Sequence, residues 1–177
     1  NFFDPNIRLI RDMPKPTIAA VNGAAAGAGA NIALACDIVL AAHGAKFLQA
    51  FARIGLIPDA GGSWALTRLV GPARARALAM LAEPLPAETA AEWGLIWKAV
   101  DDDDLMAEAQ DLARKLATGP TTGLTLTKQA IHAATENTLE EQLELEAELQ
   151  SRAGATDDYR EGVTAFLEKR PPRFTGS

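Results

Sequence analysis

Residues Ile18-Ala-Ala-Val-Asn-Gly-Ala-Ala-Ala-Gly-Ala-Gly-Ala-Asn-Ile-Ala-Leu-Ala-Cys-Asp37 constrain this chain most, because they run from a short apolar strand through a glycine loop into an apolar helix. Backbone N–H groups at such a helix start lack intrahelical acceptors and point outward, where they can bind an anion or a developing oxyanion. A dinucleotide fingerprint does not fit. Gly27-Ala-Gly29 is followed by Ala30, Asn31 and Ile32 rather than a third glycine at the required place, and no acidic residue near Gln49 closes a second strand to hold a ribose. No Gly-Lys-Ser/Thr appears either, which excludes a phosphate loop. An oxyanion hole is the better chemical use of these amides.

The rest of the composition narrows the setting. At 177 residues the chain suits one domain, and 48% hydrophobic against 23% charged residues is the balance of a globular core. A net charge of −6 without a Lys/Arg cluster argues against a nucleic-acid partner. The single cysteine, Cys36, rules out an internal disulfide and a cysteine-rich metal site, so a reducing cytoplasm is the expected compartment. No apolar run is long enough to span a membrane. The chain starts at Asn1 inside what reads as the helix before Pro14, so further N-terminal sequence is expected.

The first third is rich in Gly and Ala with short β-branched runs, and the remainder is helical and charged, an α/β chain with a helical extension. Strands are expected at Thr17–Val21, Ile38–Ala42 and Lys46–Gln49, with Asn22–Gly27 as a loop and Ala28–Cys36 as a buried helix. Helices follow at Gly61–Val70, Pro72–Leu81 and Ala87–Trp93, then a strand at Leu95–Val100, and beyond it helix after helix. The three strands before Asp59 cannot close a stable sheet around a helix, a second reason to expect partner strands outside this sequence.

Ile54-Gly-Leu-Ile-Pro-Asp59-Ala-Gly-Gly-Ser63 sets one carboxylate among Ile57, Pro58 and Ala60, with Trp64 close by. Desolvation there should raise the carboxyl pKa toward the range of a general base. The segment alone equally allows Asp59 to cap the following helix. Asp101–Asp104 precedes a helix expected at Leu105–Leu116 and reads as a charge run at its positive end. Thr138-Leu-Glu-Glu141 has capping-box spacing, and the helix after it alternates a leucine face with glutamates. His43 and His132 have no acidic or cysteine neighbour at ligand spacing, so no metal is expected.

Taken together, Lys15-Pro-Thr-Ile-Ala-Ala-Val-Asn-Gly, Ala26 to Asp37, Ile54 to Gly62, Leu69-Val-Gly71, Ala91-Glu-Trp-Gly-Leu95 and Phe166-Leu-Glu-Lys-Arg170 resemble the enoyl-CoA hydratase/isomerase, or crotonase, superfamily. The resemblance implies a spiral of βαβ units over 1–100, a helical region over 101–177 that builds homotrimers or homohexamers, and an acyl-CoA thioester as substrate without a separate cofactor. It implies that the Ala28 N–H is one oxyanion donor, flanked by Gly27 and Gly29, and that the second donor comes from an earlier strand–loop segment. Hydratases of the family use two glutamates, at positions matched here by Asn31 and Phe51, neither of which can move a proton usefully. Asp59 matches the place where family isomerases carry their acid.

The resemblance therefore implies an acyl-CoA isomerase, most like the branch that opens ring epoxides of phenylacetyl thioesters. Asp59 is its acid/base, and Gly27, Gly29, Asn31, Phe51 and Ile57 lie around the substrate. Phe51 could suit a cyclic acyl group or could equally be core packing. Lys169, with Arg170, could meet CoA phosphates. An enoyl-CoA hydratase with unrecognised groups is the rival reading, and a non-catalytic oligomeric scaffold is a reading of another class.

Overall fold

The computed structural model describes residues 3–177, which divide into two compact units. Unit 1 comprises the chain to Met13 together with Thr17–Gln110, and unit 2 comprises Pro14–Pro16 with Asp111–Ser177.

Unit 1 opens with α1 (Asp4–Asp12), which stops as Met13 takes extended dihedrals before Pro14. The strands are β1 (Ile18–Val21), β2 (Ala24–Ala26), β3 (Ile38–Ala42), β4 (Lys46–Leu48), β5 (Leu85–Pro86) and β6 (Lys98–Val100), with α2 (Ala28–Leu34), α3 (Gly62–Leu81) and α4 (Ala87–Glu92) between them. They form two three-stranded sheets. In one, β3 lies between β1 and β6, both pairings parallel, with Ile18 opposite Ile38 and Leu40 opposite Lys98. The continuous Ile-Val-Leu-Ala-Ala run of β3 suits that central place, since its last four residues are buried. In the other, β4 pairs parallel to β2 and antiparallel to β5.

Helix α2 packs on β1, β2 and α3, and its Ala30, Asn31, Ala33 and Leu34 are buried. Six strands form where four were expected. The tripeptide Ala24–Ala26, read as loop, and Leu85–Pro86 lack β-branched residues; pairing with β4 makes them strands. The strand expected from Leu95 is shortened to β6 because the N–H groups of Leu95 and Ile96 turn back to the Ala90 carbonyl. The two helices expected at Gly61–Val70 and Pro72–Leu81 are α3, broken where Gly71 adopts φ 76° and ψ 166° ahead of Pro72.

Helix α5 (Leu105–Ala117) follows Asp101–Asp104. Two of these acids serve the turn at His43–Gly44: Asp102 Oδ1 accepts from the Gly44 N–H at 2.9 Å, and Asp101 lies 3.5 Å from His43 Nε2. Glu88 stands 3.0 Å from His43 Nδ1, so the fold gives this histidine acidic neighbours that its sequence neighbourhood lacks.

Unit 2 carries α6 (Thr121–Ala133), α7 (Leu139–Gly154) and α8 (Asp157–Leu167), with α7 packing on both α6 and α8. Thr125 Oγ1 donates to the Pro14 carbonyl at 2.9 Å. Both halves of the capping box at Thr138 and Glu141 are formed. Those hydrogen bonds hold the Glu141 carboxyl below its ordinary range, the Thr138 backbone N–H being the larger cause. The tail folds back on α8. Glu161 accepts both guanidinium nitrogens of Arg170, at 2.6 and 2.9 Å, and the Arg173 N–H at 2.7 Å. Buried Asp158 accepts the N–H groups of Thr175 and Gly176. Among the described residues no helix is long and apolar enough to cross a membrane.

Candidate active site

The segment from Gly55 to Gly61 bends Asp59 into place. Gly55 ends the short 3-10 helix Ala50–Ile54 in the left-handed region (φ 74°), and Ala60 and Gly61 are left-handed in succession (φ 48° and 76°) before α3 begins. A non-glycine residue in that region costs on the order of 1–3 kcal/mol, and Ala60 holds it while buried. Two left-handed residues in a row turn the chain so sharply that the main chain of Asp59 faces α2 and the start of α3. Its carbonyl oxygen accepts from the Gly62 N–H at 2.8 Å and from Asn31 Nδ2 at 2.9 Å.

The carboxylate itself is left unengaged. Asp59 Oδ1 is buried and has no hydrogen-bond partner among the described residues. Gly61 occupies the N-cap of α3 without a side-chain cap bond, so the helix start is not what the Asp59 carboxylate serves.

Three residues missed or misplaced by sequence reasoning support this aspartate. Asn31 is 1% exposed, and both ends of its amide are taken: Nδ2 by Asp59 and Oδ1 by Gln49 Nε2 at 2.8 Å. It was expected among the groups around the substrate; the structure spends its side chain inside the protein. Gln49 is also buried, with Oε1 lacking a partner among the described residues. The signal for Gln49 was a lone amide inside the apolar run Phe47-Leu-Gln-Ala-Phe51. Gly62 is the third: a Cβ there would stand 2.3 Å from Asn31 Nδ2, so only glycine lets α3 begin this close to the amide.

The glycine loop lies on the other side of Asn31. Gly27 has φ 54° and ψ −127°, and its N–H donates to the Leu48 carbonyl at 2.8 Å, which anchors the loop to β4. The Phe51 ring packs on it, with Cζ 3.6 Å from where a Gly27 Cβ would be. Phe51 is buried, so core packing describes at least its ring face toward Gly27. Ala28 is the first residue of α2, where its N–H has no intrahelical acceptor, and Gly29 stands beside it with open space around its Cα.

The apolar surroundings expected for Asp59 are one-sided. Ala60 is buried, but Ile57 is 82% exposed and Ile54 and Leu56 are exposed with it. The Trp64 ring, expected to help shield the acid, carries the guanidinium groups of Arg11 and Arg68 at 4.2 and 4.1 Å. A cavity of about 270 Å³ runs along α3 from Pro58 and Ser63 to Met80. In unit 2, Lys169 is exposed in the left-handed region just past α8. Arg170, expected with it to meet phosphates, is committed to Glu161 and Glu168. No group of three or more His, Cys, Asp or Glu among the described residues is placed to hold a metal ion. The arrangement offers one uncommitted carboxylate, a first-turn amide and an exposed apolar edge, which together suit proton transfer on a carbon acid.

The sequence matches the enoyl-CoA hydratase/isomerase family over residues 1–177. It is 58% identical to the 1,2-epoxyphenylacetyl-CoA isomerase of Escherichia coli (strain K12), over 99% of this chain and 67% of that protein. It is 55% identical to a "Probable enoyl-CoA hydratase" of Rhodobacter capsulatus, over 98% of this chain and 68% of that protein. The crystal structure of an enoyl-CoA hydratase from Polaromonas sp. JS666 superposes with a TM-score of 0.94 at 40% identity, covering 98% of this chain and 67% of that one. The chain thus spans about two thirds of the length of these relatives.

Proposed function

The chain belongs to the enoyl-CoA hydratase/isomerase family, and from that premise we propose that it is an acyl-CoA isomerase acting on 1,2-epoxyphenylacetyl-CoA, with Asp59 as its single proton-transferring group. The observation that carries this reading is the unpartnered, buried Oδ1 of Asp59, on a residue whose main chain is doubly held. A side chain with no structural bond to lose is available for chemistry. The 58% identity to a protein named for that reaction supports the substrate.

The chemistry follows from one carboxylate and at least one oxyanion donor. Asp59 takes a proton from carbon in the acyl part. The electron pair moves onto the thioester oxygen, where the Ala28 N–H stabilises it; as it returns toward the ring, the carbon–carbon bond shared with the epoxide breaks to leave a seven-membered oxepin and the proton is delivered to a ring carbon, so no atom is gained or lost. Each such donor contributes about 2.7–4 kcal/mol to the transition state. Gly27 and Gly29 keep the approach to that amide free of side chains, while Phe51 and Ile57 border the acyl group. Lys169, exposed beyond α8, is the candidate for a CoA phosphate.

Coenzyme A enters as part of the substrate, and the family chemistry calls for no further cofactor. We read residues 1–100 as part of the family's spiral core and 101–177 as the region that assembles a homotrimer or homohexamer. Leu139 and Leu143 are exposed there, as are Phe166 and Leu167, which line an apolar groove of about 430 Å³ together with Tyr159 and Phe174. A single cysteine, Cys36, supports reading the location as cytoplasmic.

The hydratase reading draws on the hydratase names of other relatives. It requires a second proton-moving group, and Asn31 and Phe51 stand where the family's hydratases place theirs. Mass measurement separates the two: incubation of the full-length protein with ring 1,2-epoxyphenylacetyl-CoA and with enoyl-CoAs yields product of unchanged mass for an isomerase, and product heavier by one water for a hydratase.

A further inference from the structure

We propose that Gln49 is a positioning residue for Asp59, acting through Asn31. The proposal rests on the reading of Asp59 as the proton-transferring group.

The relay has a direction. Gln49 Nε2 donates to Asn31 Oδ1 at 2.8 Å, which reserves Asn31 Nδ2 for the Asp59 carbonyl oxygen at 2.9 Å. Turning over the Gln49 amide would set two acceptors face to face; turning over Asn31 would oppose donor to donor at one end and acceptor to acceptor at the other. Gln49 and the Asp59 carbonyl together fix which end of Asn31 faces the main chain of the base. Both side chains are buried, 4% and 1% exposed, so water does not readily substitute for either bond.

Gln49 makes a poor choice on grounds of stability alone. Its Oε1 is buried without a partner among the described residues, which destabilises the fold. Its one side-chain hydrogen bond among the described residues holds Asn31. The far end of the relay is equally tight, since Gly62, three residues after Asp59, approaches Asn31 too closely for any Cβ. A rotation of Asn31 is thus passed to the main chain on which Asp59 stands. Displacing a reacting group by about 1 Å can cost about 100-fold in rate.

The test is steady-state kinetics and thermal melting of Gln49→Met, Gln49→Glu, Asn31→Leu, the double variant Asn31→Leu/Gln49→Met, and Asp59→Asn in the full-length protein. Gln49→Met exchanges one orphaned buried acceptor, Gln49 Oε1, for another, Asn31 Oδ1, so the melting temperature should stay near that of the parent. Its kcat should fall about 10- to 100-fold with KM changed less than about threefold. Gln49→Glu can donate to Asn31 only while protonated, so its kcat relative to the parent should rise as pH falls. Because the two residues act in series, the double variant should be no slower than Asn31→Leu alone.

A Gln49→Met protein with the parent's kcat overturns the proposal, as does a loss accounted for entirely by unfolded protein, or independent additive losses in the double variant. Asp59→Asn separates the two levels. If it abolishes turnover while Gln49→Met turns over normally, only the relay fails. If Asp59→Asn turns over normally, the base assignment fails and the relay with it.

Discussion

The amide of Asn31 donates to the main-chain carbonyl of Asp59, not to its carboxylate, at 2.9 Å. Together with the Gly62 N–H on the same oxygen, this fixes the residue while leaving its side chain uncommitted. A base held through its backbone keeps its proton-accepting atoms free. Substitutions at Gly62 and at Asp59 separate those two roles.

Gly62→Ala should disturb the site through its support. The added methyl would overlap Asn31 Nδ2, Cγ and Oδ1, all within 2.8 Å, and Asn31 cannot swing away without losing its two bonds. Overpacking of this kind costs about 1–3 kcal/mol, so urea unfolding should show a lower midpoint at an unchanged slope. The kcat of the folded fraction should fall as well.

Gly27→Ala should act by a different route. The Phe51 ring leaves ordinary contact distance for a methyl, so the penalty is conformational: φ 54° with ψ −127° is poor for any residue with a Cβ. A loss of about 1–3 kcal/mol is expected in denaturant unfolding. Phe51→Ala, by contrast, leaves a void against Gly27 and should cost about 3–5 kcal/mol. A larger loss for Gly27→Ala than for Phe51→Ala would contradict this assignment.

The C-terminal tail should respond to acid. Arg170, and after it the Arg173 N–H, hold the Glu161 carboxyl down from its ordinary 4.5 to about 2. The folded state therefore favours the ionised form. That stabilisation is complete above 4.5 and is lost as pH falls through about 2. Glu161→Gln should lack it at every pH. The gap in melting temperature between parent and variant, followed by circular dichroism, should close across that window; a gap independent of pH would show that the ion pair contributes nothing through titration.

Much of this arrangement was legible in the sequence where one local rule decides the outcome. The capping box at Thr138 and Glu141, the break between Gly71 and Pro72, the strand from Ile18 and the helix from Ala28 fall where their residues put them. What escaped is set by partners distant in the chain. Ala24–Ala26 is a strand only because β4 lies beside it, and Asp101 and Asp102 attend His43 and Gly44 rather than a helix start. At the site, the position of Asp59 and the loop at Gly27 could be read from motifs. The place of Asn31 could not, because its two partners lie 18 and 28 residues away. Nor did the sequence disclose that Trp64 would be occupied by Arg11 and Arg68.

Turnover of ring 1,2-epoxyphenylacetyl-CoA by Asp59→Asn in the full-length protein, with its melting temperature recorded alongside, tests the central claim most directly. The substitution removes the basic oxygen pair while retaining shape, and the Asp59 carboxylate makes no cap bond to α3 whose loss would unfold it. The account predicts a melting temperature near that of the parent and a kcat lower by a factor of about 100 to 10,000, the usual worth of general acid–base catalysis. A folded Asp59→Asn protein that isomerises at the parent's rate would contradict it.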